Sequence, residues 1–281
     1  MPRMDSQGER ATPARGNPHI GSMRQASSVV PQLRSAAAFL LPPVAAIVLL
    51  LLLIQVALPY LHVPSIFVPL PSSVLSLLAS PRIPWLEHSE ITLYEALGGF
   101  LLAVAFGIPL AIVMHFFRPL KMVLSPIILA AQVAPKIALV PVLFLWLGFA
   151  PLPRVLTVFL VCFFPVVVDT ETGLASVEPE MVQLVRSFNS STLDLIRKVS
   201  FPTALPSVFS GLKVSITLAM VGAVVAEFVQ SSSGLGYLIL SAQANLDTTL
   251  AFAAVTILVV LSLMLYGAIL LVEWTVVTWR R

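Results

Sequence analysis

Six long apolar blocks run through this chain, and they constrain its fold more than any other feature. Each holds roughly 20 or more residues with few charges, the length that a helix needs to cross a hydrocarbon core of ~30 Å. Of the 281 residues, 58% are hydrophobic and 10% are charged, against about 25% charged in a typical soluble domain. Lipid cannot satisfy open strand edges, so every span must be helical. We therefore predict an all-α polytopic membrane protein with spans at 36–58, 91–114, 120–147, 154–172, 206–228 and 250–273.

The N-terminal segment differs from the rest of the chain. Residues 1–35 carry five arginines among Pro, Ser, Gly and Gln without a hydrophobic period, which predicts a disordered basic tail. A secretory signal is the alternative, but the apolar run at 36–58 is longer than the ~7–15 residues of a usual signal core. We therefore expect an uncleaved first span and assign residues 36–281 to one transmembrane domain.

Prolines mark two of the spans as irregular. Pro109 lies inside the second span, and Pro135 and Pro141 lie inside the third. Because a proline removes a helical hydrogen bond, each predicts a kink or a locally broken helix. The loop at 229–249 holds a further apolar run that is too short to span. We expect that run to re-enter the membrane or to lie on its outer rim.

The basic residues indicate an orientation. If the N-terminus is cytoplasmic, only Arg82 and Arg154 lie outside, and Lys136 lies within a span. The remaining Lys and Arg residues then lie on the cytoplasmic side, and we count Lys213 among them. This asymmetry follows the positive-inside rule and predicts that both termini are cytoplasmic. The net charge of +3 then reflects topology signals, and we expect no nucleic-acid partner.

A polar island at about 176–205 separates spans four and five. Pro179 suits the first position of a helix. Apolar residues at i, i+3, i+4 and i+7 predict that this helix has one apolar face, made of Met181, Leu184, Val185 and Phe188. Asn189 would end the helix, since Asn tolerates the left-handed conformation of a C-terminal cap.

A second helix is predicted directly afterwards. Ser191 and Asp194 form the S-x-x-D pattern of a capping box, and the helix they open runs to Pro202, with Pro206 beginning span five. An amphipathic loop on the membrane surface, a lid over the bundle and a hairpin that docks to a soluble partner all fit this pattern.

The spacing within this island resembles the EAA loop of ABC importer permeases. In that loop a helical Glu-Ala-Ala precedes a Gly, and an apolar residue and Leu-Pro follow. The corresponding positions here keep the spacing, without the Glu-Ala-Ala letters and with Asn in place of Gly: Gln183, Leu184, Val185, Asn189, Val199, Phe201 and Pro202.

The resemblance extends over roughly residues 69–275. It is carried by TLYEALGGFLLAVAFGIPLAIVM in span two, VAPKIALVPVLFLWLGF in span three and GAVVAEFVQSSSGLGYLI after span five. These segments look like ABC permeases of the nitrate, sulfonate and taurine type, and most like the variety for pyrimidine precursors.

This resemblance implies a type I ABC importer permease fold in a bacterial inner membrane. It also implies alternating access in a homodimer of this chain, with a dimer of cytoplasmic ATPases that hydrolyse ATP and a periplasmic solute-binding protein. The residues that would couple the hairpin to the ATPase are Gln183, Leu184, Arg186, Ser187, Phe188, Asn189, Ser190 and Ser191.

Charged residues within the spans are candidates for the substrate path, because each is costly in lipid. Lys136, after Pro135, either lines the conduit or pairs with a carbonyl or with a carboxylate such as Glu95 or Glu227. Glu227, just before Gly-Leu-Gly, either gates the mouth or sits at the water boundary. Both alternatives remain open for each residue.

Motifs for chemistry are missing from the sequence. It contains no GxxxxGK[ST] nucleotide loop, its four histidines form no metal-ligand pattern, and no nucleophile and base pair is recognisable. We expect neither catalytic nor metal-binding residues, no cofactor in this chain, and a transport protein rather than an enzyme. An ion-gradient-driven secondary transporter of a small anion is the alternative. It predicts acidic relays and inverted repeats, and the sequence shows neither.

Overall fold

The computed structural model describes residues 29–278 except Phe149 and Asn189, and the regular elements among these residues are all helices. The chain divides into two compact units, one ending at Ala57 and one beginning at Leu58. The predicted all-α polytopic class is confirmed.

Most of the first helix belongs to the first unit. Helix α1 (Val29–Tyr60) contains an apolar stretch of 20 residues, Leu41–Tyr60, that is long enough to cross a membrane. It begins at Val29 rather than at the predicted residue 36, so the last part of the predicted disordered tail is helical. Residues 1–28 of that tail lie outside the described residues.

The second unit contains the other helices. They are α2 (Pro71–Leu78), α3 (Trp85–Phe116), α4 (Arg118–Val133), α5 (Val140–Leu147), α6 (Pro151–Ala175), α7 (Pro179–Ser187), α8 (Thr192–Leu195), α9 (Phe201–Val229), α10 (Leu235–Ala244) and α11 (Thr248–Val276). A short 3₁₀ helix (Lys136–Leu139) precedes α5, and a π-helical turn (Ile196–Ser200) precedes α9.

The prolines have unequal effects. Helices α4 and α5 are bent by 85° at the break around Pro135, which confirms the predicted interruption of span three, while Pro141 lies harmlessly in the first turn of α5. Pro109 was expected to kink or break span two, and α3 continues through it without a break. One missing N–H removes one bond of the ladder, and close packing of α3 on α6 supports the helix there. With the broken pair counted as one span, six segments of the described residues could cross a membrane.

Helices α3, α6 and α9 form the central bundle. Small residues let them approach closely: a Cβ on Gly107 of α3 would lie 2.9 Å from Val166 Cγ1 of α6, and one on Gly211 of α9 would lie 2.7 Å from Asp169 Cβ. The core between them is apolar, with Ala96, Phe100, Ala103, Val158, Cys162, Ile216, Ala219, Met220 and Ala223.

The two ends of this bundle carry different additions. At one end, where α6 ends and α9 begins, lies the segment 176–200; we call this the hairpin end. The α10 end carries α10, whose 10 residues are too few to span a membrane, as the sequence predicted for the 229–249 loop. Leu235 and Leu238 of α10 pack on Ala254 of α11.

Candidate functional site

The first helix of the hairpin forms where the sequence predicts it. Helix α7 starts at Pro179, and the carbonyl of Glu178 accepts hydrogen bonds from the N–H groups of Met181 (3.1 Å) and Val182 (3.3 Å). The helix ends at Ser187. Asn189, predicted to terminate it, lies outside the described residues.

The predicted capping box opens the second helix. The N–H of Asp194 donates to Ser191 Oγ at 3.1 Å, and the Ser191 hydroxyl donates to Asp194 Oδ2 at 2.7 Å. Lys198, one turn later, lies 2.6 Å from Asp194 Oδ1. Leu195 of this helix is buried.

This second helix runs directly into the membrane helix. The π-helical turn joins α8 to α9, so that helical structure is continuous from Thr192 to Val229. Pro206, expected to begin a separate span, lies inside α9 instead. The π turn ends at Ser200, two residues before Pro202 in the first turn of α9. Such turns are frequent at functional positions.

The hairpin leaves large apolar side chains uncovered. Leu184 is 54% exposed, Phe188 75% and Leu193 70%, and Met181 is also exposed. Such a group on a short helix pair suits docking into a groove of another protein.

The other predicted coupling residues lie in the same hairpin. Gln183 is exposed, the Ser187 hydroxyl donates to the Leu184 carbonyl at 2.7 Å, and Ser190 is half-buried. Arg186 lies in α7, and its side chain is outside the described part of the chain.

An ionic cluster ties three helices together near the hairpin. Lys121 of α4 forms an ion pair and hydrogen bond with Glu171 of α6, and His115 Nδ1 of α3 lies 4.0 Å from Glu171 Oε1. The cluster is half-buried. It fixes the end of α6 from which the hairpin departs.

Lys136 lies at the break between α4 and α5. Its Nζ donates to the carbonyl of Gln132 at 2.8 Å and lies 5.0 Å from the centroid of the Phe164 ring. The carbonyl is one of the partners considered from the sequence, while Glu95 and Glu227 pair elsewhere. Pro135 beside it is exposed.

A second lysine lies inside a membrane helix. Lys213, counted from the sequence among the cytoplasmic basic residues, is in α9 and lies 2.9 Å from Glu273 Oε2 of α11. The pair borders a groove of about 440 Å³ that Ser210, Thr217 and Tyr266 also line.

At the α10 end, Glu227 is fully buried rather than at a water boundary. The Thr92 hydroxyl of α3 donates to Glu227 Oε1 at 2.7 Å, and the N–H of Gly236 donates to Glu227 Oε2 at 2.5 Å. The N–H of Leu235 donates to Thr92 Oγ1 at 2.9 Å, and the N–H of Gly234 donates to His88 Nδ1 at 3.0 Å.

A buried ion pair lies in the same region. Arg154 Nε of α6 is 3.0 Å from Glu95 Oε1 of α3, with exposures of 12% and 1%. The two groups are not aligned as a hydrogen bond, so their attraction is electrostatic. Arg154 Nη1 also donates to Ser231 Oγ at 2.6 Å, and Arg154 lines a cavity of about 360 Å³ with residues 228–232 and Leu240.

Sequence reasoning missed His88, Thr92 and Arg154. A signal existed for Arg154, because a basic residue at the start of span four lies at the same end of the bundle as Glu95 and Glu227. Nothing local in the sequence marks Thr92, whose role depends on α9 and α10 meeting it.

The comparisons with known proteins agree with this architecture. The family described as binding-protein-dependent transport system inner membrane component matches residues 103–275. A probable ABC transporter permease of Haemophilus influenzae is 40% identical over 65% of this chain and 75% of its own length. The putative aliphatic sulfonates transport permease SsuC of Bacillus subtilis is 32% identical over 69% of this chain and 70% of its own.

A third relative supports the predicted variety. The formylaminopyrimidine transport permease ThiX of Halalkalibacterium halodurans is 30% identical over 69% of this chain and 78% of its own length. In fold, the chain is similar to a chain of the methionine ABC transporter MetNI in inward-facing conformations. The TM-score is 0.59 at 16% identity, over 66% of this chain and 93% of that one. The predicted importer permease fold is thereby confirmed.

These relatives are transport proteins rather than enzymes, and the membrane helices described above are those of a multi-pass membrane protein. The chain belongs to the inner membrane components of binding-protein-dependent transport systems, as a permease subunit of an ABC importer.

Proposed function

We propose that two copies of this chain form the pore of an ATP-driven importer and move a small solute by alternating access. A dimer of cytoplasmic ATPases binds the two hairpins and hydrolyses ATP, and this chain holds no cofactor. A periplasmic binding protein delivers the solute to the α10 end. Both termini are cytoplasmic in the bacterial inner membrane, which the distribution of Lys and Arg supports.

The exposed apolar face of the hairpin carries this proposal. Leu184 of α7, Phe188 directly after α7 and Leu193 of α8 lie uncovered by the rest of the described unit. Burial of such side chains in a partner's groove favours association by the hydrophobic effect. The helix that follows, α9, crosses the membrane without a break and therefore provides a direct mechanical connection.

The solute we propose is of the nitrate, sulfonate and taurine type or a pyrimidine precursor. The names of SsuC and ThiX support this range, since they describe permeases for aliphatic sulfonates and formylaminopyrimidine. Lys136 and Pro135, at the broken helix, are the proposed path residues. Broken helices at membrane depth are tolerated where they line a cavity or are buried in protein.

The test replaces Phe188 by Glu in the tagged full-length chain. We expect the ATPase that co-purifies with the wild-type chain to fall by roughly tenfold or more, since an exposed aromatic anchor typically contributes at least ~2 kcal/mol to an interface. Vanadate-sensitive ATP hydrolysis of the purified sample measures the bound ATPase.

Leu246→Glu is the matched control, because Leu246 is 68% exposed at the opposite end of the bundle. It should leave ATPase binding unchanged. Full ATPase retention by Phe188→Glu, with the chain correctly inserted, would exclude the hairpin as the docking element.

A further inference from the structure

The start of helix α10 is held entirely by side chains from other helices. The N–H groups of three consecutive residues, 234–236, donate in turn to His88, Thr92 and Glu227. We call His88, Thr92 and Glu227 the α10 anchor. The first N–H groups of a helix have no partner within it, and a residue at the N-cap usually supplies one. Gly234 stands at that position and has no side chain.

Two glycines make room for the carboxylate. Gly234 has a φ of +105°, which favours glycine. A Cβ on Gly236 would lie 2.7 Å from Glu227 Oε2, and a Cβ on Gly234 would overlap the same carboxyl group. The Gly-Leu-Gly sequence thus lets the backbone of α10 close directly on Glu227.

The anchor compensates for burying a carboxylate. Glu227 is fully buried, and an isolated buried charge is strongly unfavourable. The Thr92 hydroxyl, the N–H of Gly236 and the positive end of the α10 dipole offset that cost. Detaching α10 would take the N–H of Gly236 and the helix dipole away from the carboxylate, so α10 is expected to move together with Glu227.

Glu227 lies at the far end of the same helix that begins in the hairpin. Helical structure continues from Thr192 to Val229, which at ~1.5 Å per residue places Glu227 roughly 50 Å from the capping box. A tilt or shift of α9 imposed at the hairpin therefore displaces the anchor carboxylate at the other end of the bundle.

We propose that Glu227 is a positioning residue for transport. When the hairpin moves, α9 moves with it, and Glu227 transmits this movement to α10. Glu227 thereby sets the position of α10 at the outer end of the path. This inference rests on the proposed function. In this proposal Glu227 has a mechanical role and does not contact the solute. Thr92 is then the residue of α3 relative to which α10 changes position.

The first experiment measures the anchor without transport. Ala242 of α10 is buried, with 1% exposure, and the chain has one cysteine, Cys162, which is buried. In a Cys162→Ala background, Ala242→Cys in lipid nanodiscs is treated with a membrane-impermeant maleimide. We expect Glu227→Ala to raise the labelling rate at least tenfold and Thr92→Val to raise it less, while Gln243→Ala on the exposed face of α10 leaves it unchanged.

The second experiment measures transmission. In the complex with its ATPase, trapping with ATP and vanadate should change the labelling rate of Ala242→Cys, and Glu227→Gln should abolish that response while ATP is still hydrolysed. Glu227→Gln keeps the size of the side chain. It can therefore replace Glu227→Ala in the first experiment if the Glu227→Ala protein is not obtained in sufficient amount. A purely structural anchor would leave the vanadate response intact.

The possible outcomes separate the two proposals. Equal labelling of Glu227→Ala, Glu227→Gln and the parent would overturn the anchor. Faster labelling with an unchanged vanadate response would overturn transmission. If no ATPase co-purifies with the chain, the proposed function and the transmission through Glu227 are both overturned. The first experiment still decides whether the α10 anchor exists.

Discussion

The hairpin end and the α10 end of the central bundle hold their polar groups in opposite ways. At the hairpin end, Lys121 and Glu171 are 39% and 22% exposed, and Lys198 on the hairpin itself is 73% exposed. At the α10 end, Glu95 and Glu227 are 1% and 0% exposed. These ion pairs at the hairpin end reach solvent, and the two carboxylates at the α10 end are enclosed in protein.

The apolar side chains show the reverse pattern. Phe188 and Leu193 of the hairpin are exposed, whereas Leu235 and Leu238 of α10 are buried against α11. The Glu227 carboxylate and the apolar face of α10 therefore find partners within this chain. The exposed apolar groups of the hairpin are those that the proposed ATPase would cover.

The largest effect on stability is expected at Arg154. Arg154→Leu leaves the Glu95 carboxylate buried without its cation, which should lower the free energy of unfolding by about 3–5 kcal/mol. The measurement is the midpoint of unfolding of the purified complex in detergent, together with its yield. Since removing both charges avoids an unpaired one, the double variant Arg154→Leu with Glu95→Leu should recover most of the loss. A fully stable single variant would contradict the enclosed ion pair.

A smaller effect is expected at Lys121. Lys121→Gln removes the ion pair with Glu171, but both groups reach solvent, so the loss should be about 0.2–1 kcal/mol. Salt screens such a pair, and the difference from wild type should shrink between low and high ionic strength. Denaturant unfolding at two salt concentrations, with Glu171→Gln to complete a double-mutant cycle, measures it. A loss as large as that of Arg154→Leu would remove the contrast between the two ends.

The smallest effect is expected on the hairpin. Lys198→Gln breaks an exposed i,i+4 pair with Asp194, and the midpoint of unfolding should not change measurably. Ser191→Ala is the informative neighbour, because it removes the cap of α8 and should fray the hairpin locally. Hydrogen exchange of the α8 amides distinguishes the two variants. Equal protection in both would argue against the capping box as the element that defines the second helix.

Much of the fold was predictable because its signals are local. The length of each apolar block indicates a span, and the broken third span follows from Pro135. The helix starts at Pro179 and at Ser191 follow from capping chemistry that operates within four residues. The exposed face of α7 follows from helical periodicity.

Other features were mispredicted because neighbours outweigh local preference. Pro109 leaves α3 unbroken, and Pro206 does not separate the hairpin from α9, since packing along these helices supports them. Lys213 was counted from the sequence with the basic residues outside the spans, and the structure pairs it with Glu273 of α11 from within α9. Predictions for Asn189 and residues 1–28 fall outside the described residues.

The sequence by itself determined that this chain crosses a membrane several times and carries a capped helical hairpin, because hydrophobic length, periodicity and capping act over short distances along the chain. Only the tertiary structure decided which buried charges meet: Arg154 with Glu95, and Glu227 with Thr92 and the start of α10. The reason is physical. A buried polar group must find partners wherever the fold supplies them, and here each carboxylate has a side-chain partner, Arg154 or Thr92, more than 50 residues away along the chain, with Thr92 and Glu227 separated by 135 residues.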